Sequence, residues 1–355
     1  MPLMADYLCQ AYPALCKHLA KVTLADLPTR TEEYRVVIDN RHYPVIVKHD
    51  EETSSVYGGN KIRKLEYLLG RAEERRAKRV ATFGAIASNH ALATALHATR
   101  LGFDCTCLLS HQRKTINAAL ALNMHLECGT EIVRYGGERR QRVATMRKYL
   151  QGRDVCLTPM GGSNWLGVVG FVNAGLELAA QVTVGAIPLP DRLYVANGTM
   201  ATAAGLALGL AAAGLKTEVH AVRVTHDYVA NPAAMRRLIT KAVTLMNRLD
   251  ATVPLDLVER TRIRFRDEFF GDGYAHPTPA GEHALGLAAD QLGITLDTTY
   301  TGKAMAALLH DRQRPEHADL SMLFWNTYCS IPSPVTANMP HDTSQLPQEF
   351  LRYFD

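Results

Sequence analysis

The sequence predicts an α/β protein built around parallel β-sheet. Short apolar runs alternate along the chain with longer segments of helical periodicity, which is the pattern of repeated strand–helix–strand units. At residues 84–90, 161–164 and 197–202, small and hydroxyl-bearing residues separate an apolar run from a helical segment. Because ligands of open α/β sheets bind at the carboxyl ends of strands, these three turns are the first candidates for a functional site.

The individual elements follow from this alternation in chain order. Strands are predicted over residues 80–83, 105–110, 131–133, 193–196, 219–224 and 322–325, where short apolar runs occur. Helices are predicted over residues 65–79, 88–101, 116–126, 201–213, 235–249 and 283–292, where apolar residues recur at helical spacing. Residues 332–347 are rich in Pro, Ser, Thr and Asn, which predicts an irregular surface segment.

Composition and charge narrow the class of protein. The chain has 355 residues, of which 47% are hydrophobic, so it can bury a large core and is most naturally two domains. Its net charge of +4 is dispersed along the sequence, so we expect no nucleic-acid partner. No uninterrupted apolar run is long enough to span a bilayer, and the N-terminus lacks the basic-then-apolar order of a signal peptide. We therefore expect a cytoplasmic protein with no membrane partner.

The cysteine pattern indicates neither a metal site nor a disulfide framework. The seven cysteines form no C-x-x-C pair and no His/Cys metal spacing, so no metal is predicted. An odd number of scattered cysteines is typical of reduced thiols in a cytosolic protein. The seven are Cys9, Cys16, Cys105, Cys107, Cys128, Cys156 and Cys329.

The segment GGNKIRKLEY, residues 58–67, presents Lys61 in a glycine-flanked turn that leads directly into a helix. The turn allows the backbone to approach a bound aldehyde, and the helix fixes the direction of the amine. These features indicate a Schiff-base lysine, although a solvated helix start is also often rich in lysine. Lys64 lies three residues on, and we interpret it as solvent-facing rather than catalytic.

The turn at residues 197–202 is a candidate phosphate site. It joins a predicted strand to a predicted helix, and backbone N–H groups at a helix start point toward an anion that the helix dipole favours. Thr199 and Thr202 add hydroxyl donors. An ordinary strand-to-helix turn would show the same local pattern, so the assignment depends on the neighbouring motifs.

In this order, the Lys61 segment and the three turns resemble the D-cysteine desulfhydrase and 1-aminocyclopropane-1-carboxylate (ACC) deaminase family of pyridoxal phosphate (PLP) enzymes. The resemblance extends over about residues 47–325. It implies the tryptophan-synthase-β-like fold (fold type II), with two open twisted sheets flanked by helices. It also implies a large PLP-binding domain of residues 1–65 plus 172–355 and a small inserted domain of residues 66–171, with the cofactor in the cleft between them.

The resemblance assigns roles to individual residues. Lys61 would hold PLP as a Schiff base and then remove the Cα proton of the substrate. Asn89 would hydrogen-bond the phenolic oxygen of the cofactor ring, and Ser88, Asn89 and His90 would bind the substrate. Ser88 and His90 would also suit the first turn of any helix. The phosphate-binding segment comprises Asn197, Gly198, Thr199, Met200, Ala201 and Thr202.

Tyr274 and Tyr300 match two tyrosines that line the family's active site. Phenols there can deliver or accept a proton near the substrate β-carbon. Tyrosines also commonly pack with one hydrated end, and this chain has 14 of them. The glycines beside Tyr274 favour an active-site role for it, whereas for Tyr300 an active-site role and ordinary packing are more evenly balanced.

The partner of the pyridine nitrogen bears on the reaction. A carboxylate keeps that nitrogen protonated and the ring a stronger electron sink, whereas a hydroxyl leaves it largely neutral. The cyclopropane deaminases have a glutamate after the second tyrosine, where this chain has Thr301. Thr327 lines up with the threonine that the desulfhydrases use, which favours elimination. Tyr328 and Cys329 replace two glycines of the desulfhydrases and indicate a reshaped pocket.

We therefore predict α,β-elimination from a small amino acid with a leaving group at Cβ, with D-cysteine as first candidate, giving a 2-oxo acid and ammonia. Racemisation, β-replacement and cyclopropane deamination remain alternatives on the same fold. A non-catalytic PLP-binding protein is another, because Ala87 replaces a glutamine and Ala201 a glycine common in the family, in addition to the changes at Tyr328 and Cys329. A Rossmann nucleotide-binding protein is disfavoured, since no G-x-G-x-x-G follows a strand. We expect a homodimer.

Overall fold

The computed structural model describes residues 6–329, 334–340 and 342–354. Its strands form two separate sheets. They are β1 (Thr31–Ile38), β2 (Arg41–His49), β3 (Arg79–Ala85), β4 (Asp104–Ser110), β5 (Glu131–Arg134), β6 (Val155–Thr158), β7 (Arg192–Asn197), β8 (Glu218–Arg223), β9 (Ile263–Arg266) and β10 (Met322–Asn326).

Helices cover both sheets. They are α1 (Tyr7–Ala11), α2 (Pro13–Cys16), α3 (Lys61–Glu74), α4 (Asn89–Arg100), α5 (Ile116–Glu127), α6 (Arg139–Leu150), α7 (Trp165–Thr183), α8 (Ala201–Ala212), α9 (Pro232–Leu249), α10 (Leu257–Arg260), α11 (Pro279–Leu287) and α12 (Thr301–Arg312). Short 3-10 turns occur at Asp50–Glu52, Met160–Gly162, Pro315–His317 and Gln348–Tyr353, and a π-helical turn at Ala288–Leu292.

The strand order brings segments that are distant in sequence to one edge of each sheet. The six-stranded sheet has the order β1-β2-β10-β7-β8-β9, and the four-stranded sheet has the order β5-β4-β3-β6. Only the β1–β2 hairpin is antiparallel, and all other pairs are parallel. The strands of the smaller sheet all lie within residues 79–158. The exact domain boundaries at residues 65–66 and 171–172 remain a prediction.

The predicted α/β alternation is confirmed, and every predicted strand and helix occurs with ends shifted by a few residues. The sequence did not predict strands β1, β2, β6 and β9 or helices α1, α2, α6, α10 and α12, and it indicated α7 only through the turn at residues 161–164, without bounds. The predicted irregular segment at residues 332–347 lies partly outside the described residues. Its described part contains no helix or strand, as expected.

Helix α7 is the central helix of the core. Within the described residues it is the one helix whose length and apolar composition would suffice to cross a membrane, and 78% of its apolar window is buried in the protein. It packs closely on α8, where a Cβ on Gly175 would lie 2.9 Å from the Cα of Gly209. Only glycine permits this approach of the two backbones.

A network of buried charges joins α7 to α3 and β2. Arg63 Nη1 lies 2.9 Å from Glu177 Oε2, and Arg63 Nη2 lies 2.8 Å from Asp50 Oδ1. Lys48 Nζ lies 2.6 Å from the other Glu177 oxygen and donates to the carbonyl of Thr29. All four charged side chains are almost fully buried. Burial alone would raise the pKa of Glu177, but Arg63 and Lys48 outweigh it and lower the pKa to about 2.

The structure corrects one expectation about the cysteines. Cys9 in the middle of α1 and Cys16 at the end of α2 form a disulfide bond with a Cα–Cα distance of 5.4 Å. The expectation that all seven cysteines are reduced is therefore wrong for this pair. Sequence spacing alone did not show it, because a separation of seven residues has no characteristic motif. Cys105 and Cys107 are free and buried in β4.

Removing one charge of the buried network should strongly destabilise the fold. Glu177→Gln leaves Arg63 and Lys48 without full compensation, so we expect the free energy of unfolding to fall by about 3–5 kcal/mol. Glu259→Gln, which breaks an exposed ion pair with Arg236, should cost less than about 1 kcal/mol. Urea unfolding measures both values. Equal effects of the two substitutions would contradict a structural role for the network.

The lowered pKa of Glu177 also predicts how the stability difference between the wild type and Glu177→Gln depends on pH. The folded-state pKa of Glu177 is lower than that of the unfolded chain, which is about 4.3. The stability that Glu177 contributes is therefore complete above that unfolded value and is lost as pH falls toward about 2. We expect the stability difference between the wild type and Glu177→Gln to shrink over this window. A constant difference between pH 7 and pH 3 would refute this assignment.

Candidate active site

A cavity of about 510 Å³ is lined by residues that follow the carboxyl ends of strands in both sheets. These residues come from the turns after β3, β7 and β10 and from the starts of α3 and α12. The structure brings twelve of the thirteen predicted site residues into its lining. They are Lys61, Ser88, Asn89, His90, Asn197, Gly198, Thr199, Met200, Thr202, Tyr274, Tyr300 and Thr327. Ala201 is fully buried behind this lining.

Lys61 is the first residue of α3 and is placed by the turn before it. Gly59 has φ +90°, and a Cβ there would lie 2.8 Å from the carbonyl oxygen of Thr327, so glycine is required. The Asn60 N–H donates to the same carbonyl at 3.2 Å. Burial lowers the pKa of Lys61 to about 8, although Asp297 opposes the change. A substantial fraction of the Lys61 amine is therefore neutral at mildly alkaline pH.

Lys64 is not the solvent-facing lysine that its helical position indicated. It is 1% exposed, lines the cavity, and its Nζ donates to the carbonyl of Gly161 at 3.1 Å. Burial, and secondly the charge of Lys61, hold the pKa of Lys64 well below its usual range. The interpretation was wrong because α3 is buried on nearly its whole circumference. Lys64 thus supports the glycine-containing loop that faces Lys61.

The turn after β3 offers free donors to the cavity. Ser88 caps α4 and its Oγ accepts from the Ala91 N–H at 3.3 Å, which leaves the hydroxyl proton available. Asn89 Oδ1 accepts from the hydroxyl of Tyr57 at 3.0 Å. This bond fixes the amide orientation so that the Asn89 NH₂ group is the donor left for a ligand. Tyr57 was not predicted, since no local motif marks it.

His90 contributes to the cavity in its neutral form. Its Nε2 accepts from the Gly162 N–H at 3.1 Å, so this nitrogen holds the loop at residues 161–164. Burial first, and then the charges of Lys61 and Lys64, place the pKa of His90 well below its usual value. A direct contact of His90 with substrate stays a prediction.

The turn after β7 has the properties expected of an anion site. Neither the amide nitrogen nor the amide oxygen of the buried Asn197 has a hydrogen-bond partner among the described residues. The first N–H groups of α8 have no partner within the helix, and Met200 at its start has the left-handed φ of +74°. Ser163 Oγ donates to Thr199 Oγ1 at 2.6 Å, and Asn60 Nδ2 donates to Thr202 Oγ1 at 3.0 Å. The first bond joins the turn to the loop at residues 161–164, and the second joins it to the Lys61 segment.

Two phenols and a carboxylate form the far wall. The hydroxyls of Tyr274 and Tyr300 lie 2.5 Å apart, and burial raises the pKa of both groups, so they stay protonated at neutral pH. Asp297 also lines the cavity and was not predicted. Its two oxygens accept hydrogen bonds from the backbone of residues 299–301 and from the Thr301 hydroxyl. An aspartate just before a helix is a recognisable capping signal that could have identified it.

The residue after β10 adds a hydroxyl to the lining of the same cavity. Thr327 is 8% exposed and lines the cavity. Thr301, at the position of the deaminase glutamate, is fully buried and serves the start of α12 through its bonds with Asp297. Tyr328 also lines the cavity, and burial raises its pKa to about 12. The reshaped pocket that Tyr328 indicated is therefore a neutral aromatic wall.

An amide does lie beside Ala87, where the sequence lacks the family's glutamine. Gln112, in the loop after β4, accepts from the Ala87 N–H through Oε1 at 3.0 Å. Gln112 is held in turn by Tyr353, whose hydroxyl accepts from the Gln112 N–H and donates to the Gln112 carbonyl. The 3-10 turn at Gln348–Tyr353 therefore stabilises the loop after β4, and that loop in turn contacts the residue before Ser88. This arrangement is non-local and has no signal in the sequence.

Comparison with known proteins agrees with this geometry. The sequence pattern of the family described as pyridoxal-phosphate dependent enzyme matches residues 22–325, which is most of the chain. The chain belongs to this family. The predicted cofactor, PLP, is thereby confirmed.

Individual relatives confirm the predicted resemblance and fold class. The enzyme is 33% identical over 302 residues to D-cysteine desulfhydrase of Klebsiella pneumoniae (strain 342), which covers 81% of this chain and 87% of that protein. It is 34% identical over 319 residues to nocardicin C-9' epimerase of Nocardia uniformis subsp. tsuyamanensis, and the match covers 87% of this chain and 92% of that protein. A crystal structure of an ACC deaminase homologue matches with a TM-score of 0.73 at 25% identity, covering 92% of this chain and 95% of that one.

The cavity of this PLP-dependent enzyme fits its cofactor. The Asn197 amide, which has no partner among the described residues, suits a phosphate, and the N–H groups at the start of α8 add donors that face an anion. The Asn89 NH₂ suits the phenolic oxygen of the ring. The Lys61 amine, with its lowered pKa, suits attachment to the aldehyde.

We predict that borohydride treatment of the PLP-loaded enzyme attaches the cofactor covalently to Lys61. The Lys64 amine donates a hydrogen bond to the Gly161 carbonyl, whereas the Lys61 amine has no such bond among the described residues. Peptide mapping should therefore find the label on Lys61 alone. The rate at which the cofactor-free protein captures PLP should rise as pH passes about 8, where the Lys61 amine becomes neutral. Lys61→Ala should not be labelled. A label on Lys64 in the wild type would contradict the assignment.

Proposed function

We propose that the enzyme catalyses α,β-elimination on a small amino acid that has a leaving group at Cβ, with D-cysteine as the first candidate. The products are a 2-oxo acid, ammonia and the protonated leaving group. The observation that carries this proposal is the hydroxyl pair of Tyr274 and Tyr300 in the same cavity as Lys61. The relative named D-cysteine desulfhydrase supports it.

When bound, PLP supplies an electron sink that stabilises negative charge at the substrate Cα. Lys61 then acts as the base that removes the Cα proton. Its pKa of about 8 keeps a neutral amine accessible near physiological pH, whereas an ordinary lysine would remain protonated. Burial disfavours protonation of this amine more strongly than the carboxylate of Asp297 favours it.

The turn after β3 would bind the substrate carboxylate. The Ser88 hydroxyl retains its proton, and the first N–H groups of α4 add donors aligned with the helix dipole. This contact would fix the Cα proton relative to Lys61. Gln112 and Tyr353 act on this turn only through the Ala87 N–H, so they are positioning residues.

The phenol pair would protonate the leaving group. Tyr300 and Tyr274 are neutral because their pKa values are raised by burial, so one hydroxyl can donate a proton while the other stabilises the phenolate that results. Thr327 would donate to or accept from the pyridine nitrogen without a formal charge. The carboxylate of Asp297 is occupied in capping α12.

A second candidate is inversion at Cα. It is favoured by the relative named nocardicin C-9' epimerase, which is as similar to this chain as the desulfhydrase is. The two reactions share Cα proton removal and differ in the fate of the Cβ substituent. Release of a 2-oxo acid indicates elimination, and loss of optical activity with solvent deuterium at Cα indicates inversion.

We predict that D-cysteine yields pyruvate and that two substitutions reduce the rate to different extents. Tyr300→Phe removes a proton donor and should lower kcat about a hundredfold or more. Thr327→Val removes one neutral hydrogen bond of about 1 kcal/mol and should lower kcat only a few-fold. Pyruvate formation measured with lactate dehydrogenase gives both rates.

A matched control is Thr99→Val, which removes a threonine hydroxyl bonded to the Ala95 carbonyl on α4, outside the cavity. It should leave kcat within about twofold, since Thr99 does not line the cavity. Efficient 2-oxobutyrate formation from ACC, together with no turnover of D-cysteine, would refute the elimination proposal.

A further inference from the structure

The cavity extends outward beyond the residues assigned to PLP and to the substrate α-carbon. Its outer lining comes from the ends of β4 and β5, from α6, and from the loop between β8 and α9. This outer lining includes the polar and aromatic residues Ser110, Tyr135, Arg142, His226 and Tyr228. A small amino acid held at Ser88 and Lys61 needs no contact with these elements, so the proposed function leaves them without a role.

Arg142 is the charged residue of this outer region. It projects from α6, lines the cavity and is exposed. Its guanidinium has no ion pair or hydrogen bond with any residue that the structure describes. None of the residues of α6 is buried, and the helix has four further basic residues and no acidic one. An arginine held at a cavity mouth without a counter-ion is a ready partner for an anion.

Aromatic rings form the walls on both sides of this mouth. Phe83 and Tyr135 contact each other edge to face, with ring centroids 4.9 Å apart. His226 and Tyr228 stack in parallel at 5.3 Å, and Tyr228 is 79% exposed. Such rings provide apolar faces against which a substrate chain can pack before it reaches the arginine.

The charges of the lining are unbalanced toward positive. Among the described residues that line the cavity, Asp297 is the one carboxylate, and both its oxygens cap α12 at the Tyr300 side. Asp227, next to Tyr228, accepts from the Tyr228 N–H and does not line the cavity. Arg142 therefore meets no competing carboxylate at the mouth.

We infer that the preferred substrate carries an anionic group at the far end of its Cβ substituent, and that Arg142 binds that group. The inference rests on the proposed elimination and specifies its substrate class as S- or O-conjugates of cysteine or serine that end in a carboxylate. D-cysteine is then the minimal substrate, which leaves the outer region unfilled.

The reaction balances without any further reagent. For an S-carboxymethyl conjugate, Lys61 takes the Cα proton, the Cβ–S bond breaks, and the sulfur keeps the electron pair and receives a proton. The enamine that remains adds one water and yields pyruvate and ammonia. Mercaptoacetate leaves through the mouth where Arg142 lies.

A matched pair of probes tests the inference. S-(carboxymethyl)cysteine and S-(carbamoylmethyl)cysteine have nearly the same shape and differ in charge, and both would be used as the enantiomer that the enzyme accepts. We expect the wild type to show a KM about tenfold lower for the carboxylate probe, with similar kcat values. Raising the ionic strength should reduce this preference.

Variants of α6 assign the effect to one residue. Arg142→Gln should bring the two KM values together, and Arg142→Lys should restore part of the difference. Arg147→Gln, which removes the same charge from the same helix but outside the cavity, should keep the wild-type preference. Equal KM values in the wild type, or a preference that survives Arg142→Gln, would overturn the inference.

The inference and the proposed function can fail separately. If D-cysteine gives pyruvate but the probes are not discriminated, elimination stands and the role of Arg142 does not. If neither D-cysteine nor the probes release pyruvate, elimination fails. Calorimetric dissociation constants of the same two probes for the PLP-loaded wild type and Arg142→Gln still decide whether Arg142 binds the anion.

Discussion

The position of the Lys61 amine depends on the buried ion network around Arg63. Arg63 lies two residues after Lys61 on the same helix and is bound on one side by Asp50 and on the other by Glu177. Desolvation of these charges is compensated only while every member keeps its partner, so α3 has one position in which it can be buried. The core helix α7, the hairpin strand β2 and the reactive lysine are thereby fixed together.

Around that fixed helix, the parallel sheets bring three strand ends to one cavity. The turn after β10 contacts the Lys61 segment through the Thr327 carbonyl, and the turn after β7 contacts it through Thr202. Short polar links therefore join the anion site, the amine and the pyridine partner. Burial around them lowers the pKa of the lysine and raises the pKa of the phenols, so each group holds the proton state that its role requires.

The sequence predicted what local pattern controls. The strands and helices around Lys61, Ser88 and Asn197 have clear periodicity and turn chemistry, and their residues lie together as expected. The burial of Lys64 could not be predicted, because it depends on α7 packing against α3. The turn at residues 161–164 indicated a helix after it, but the bounds of α7 could not be predicted, because an apolar helix without a polar face lacks periodicity. Arg142 became a cavity residue only through the placement of α6, which no motif indicates.

The link from Tyr353 through Gln112 to Ala87 has an evolutionary consequence. A column-by-column alignment would score this chain as having lost an amide before Ser88, yet an amide from another strand end occupies that neighbourhood. The Gln112 side chain bonds to the backbone N–H of residue 87, and the Tyr353 hydroxyl bonds to the backbone of residue 112, so the link depends on the side chains at 112 and 353. Homologues with a small residue at 87 should therefore keep an amide at 112 and a hydroxyl at 353 as a pair, and a chain with glutamine at 87 is free to vary its C-terminal turn.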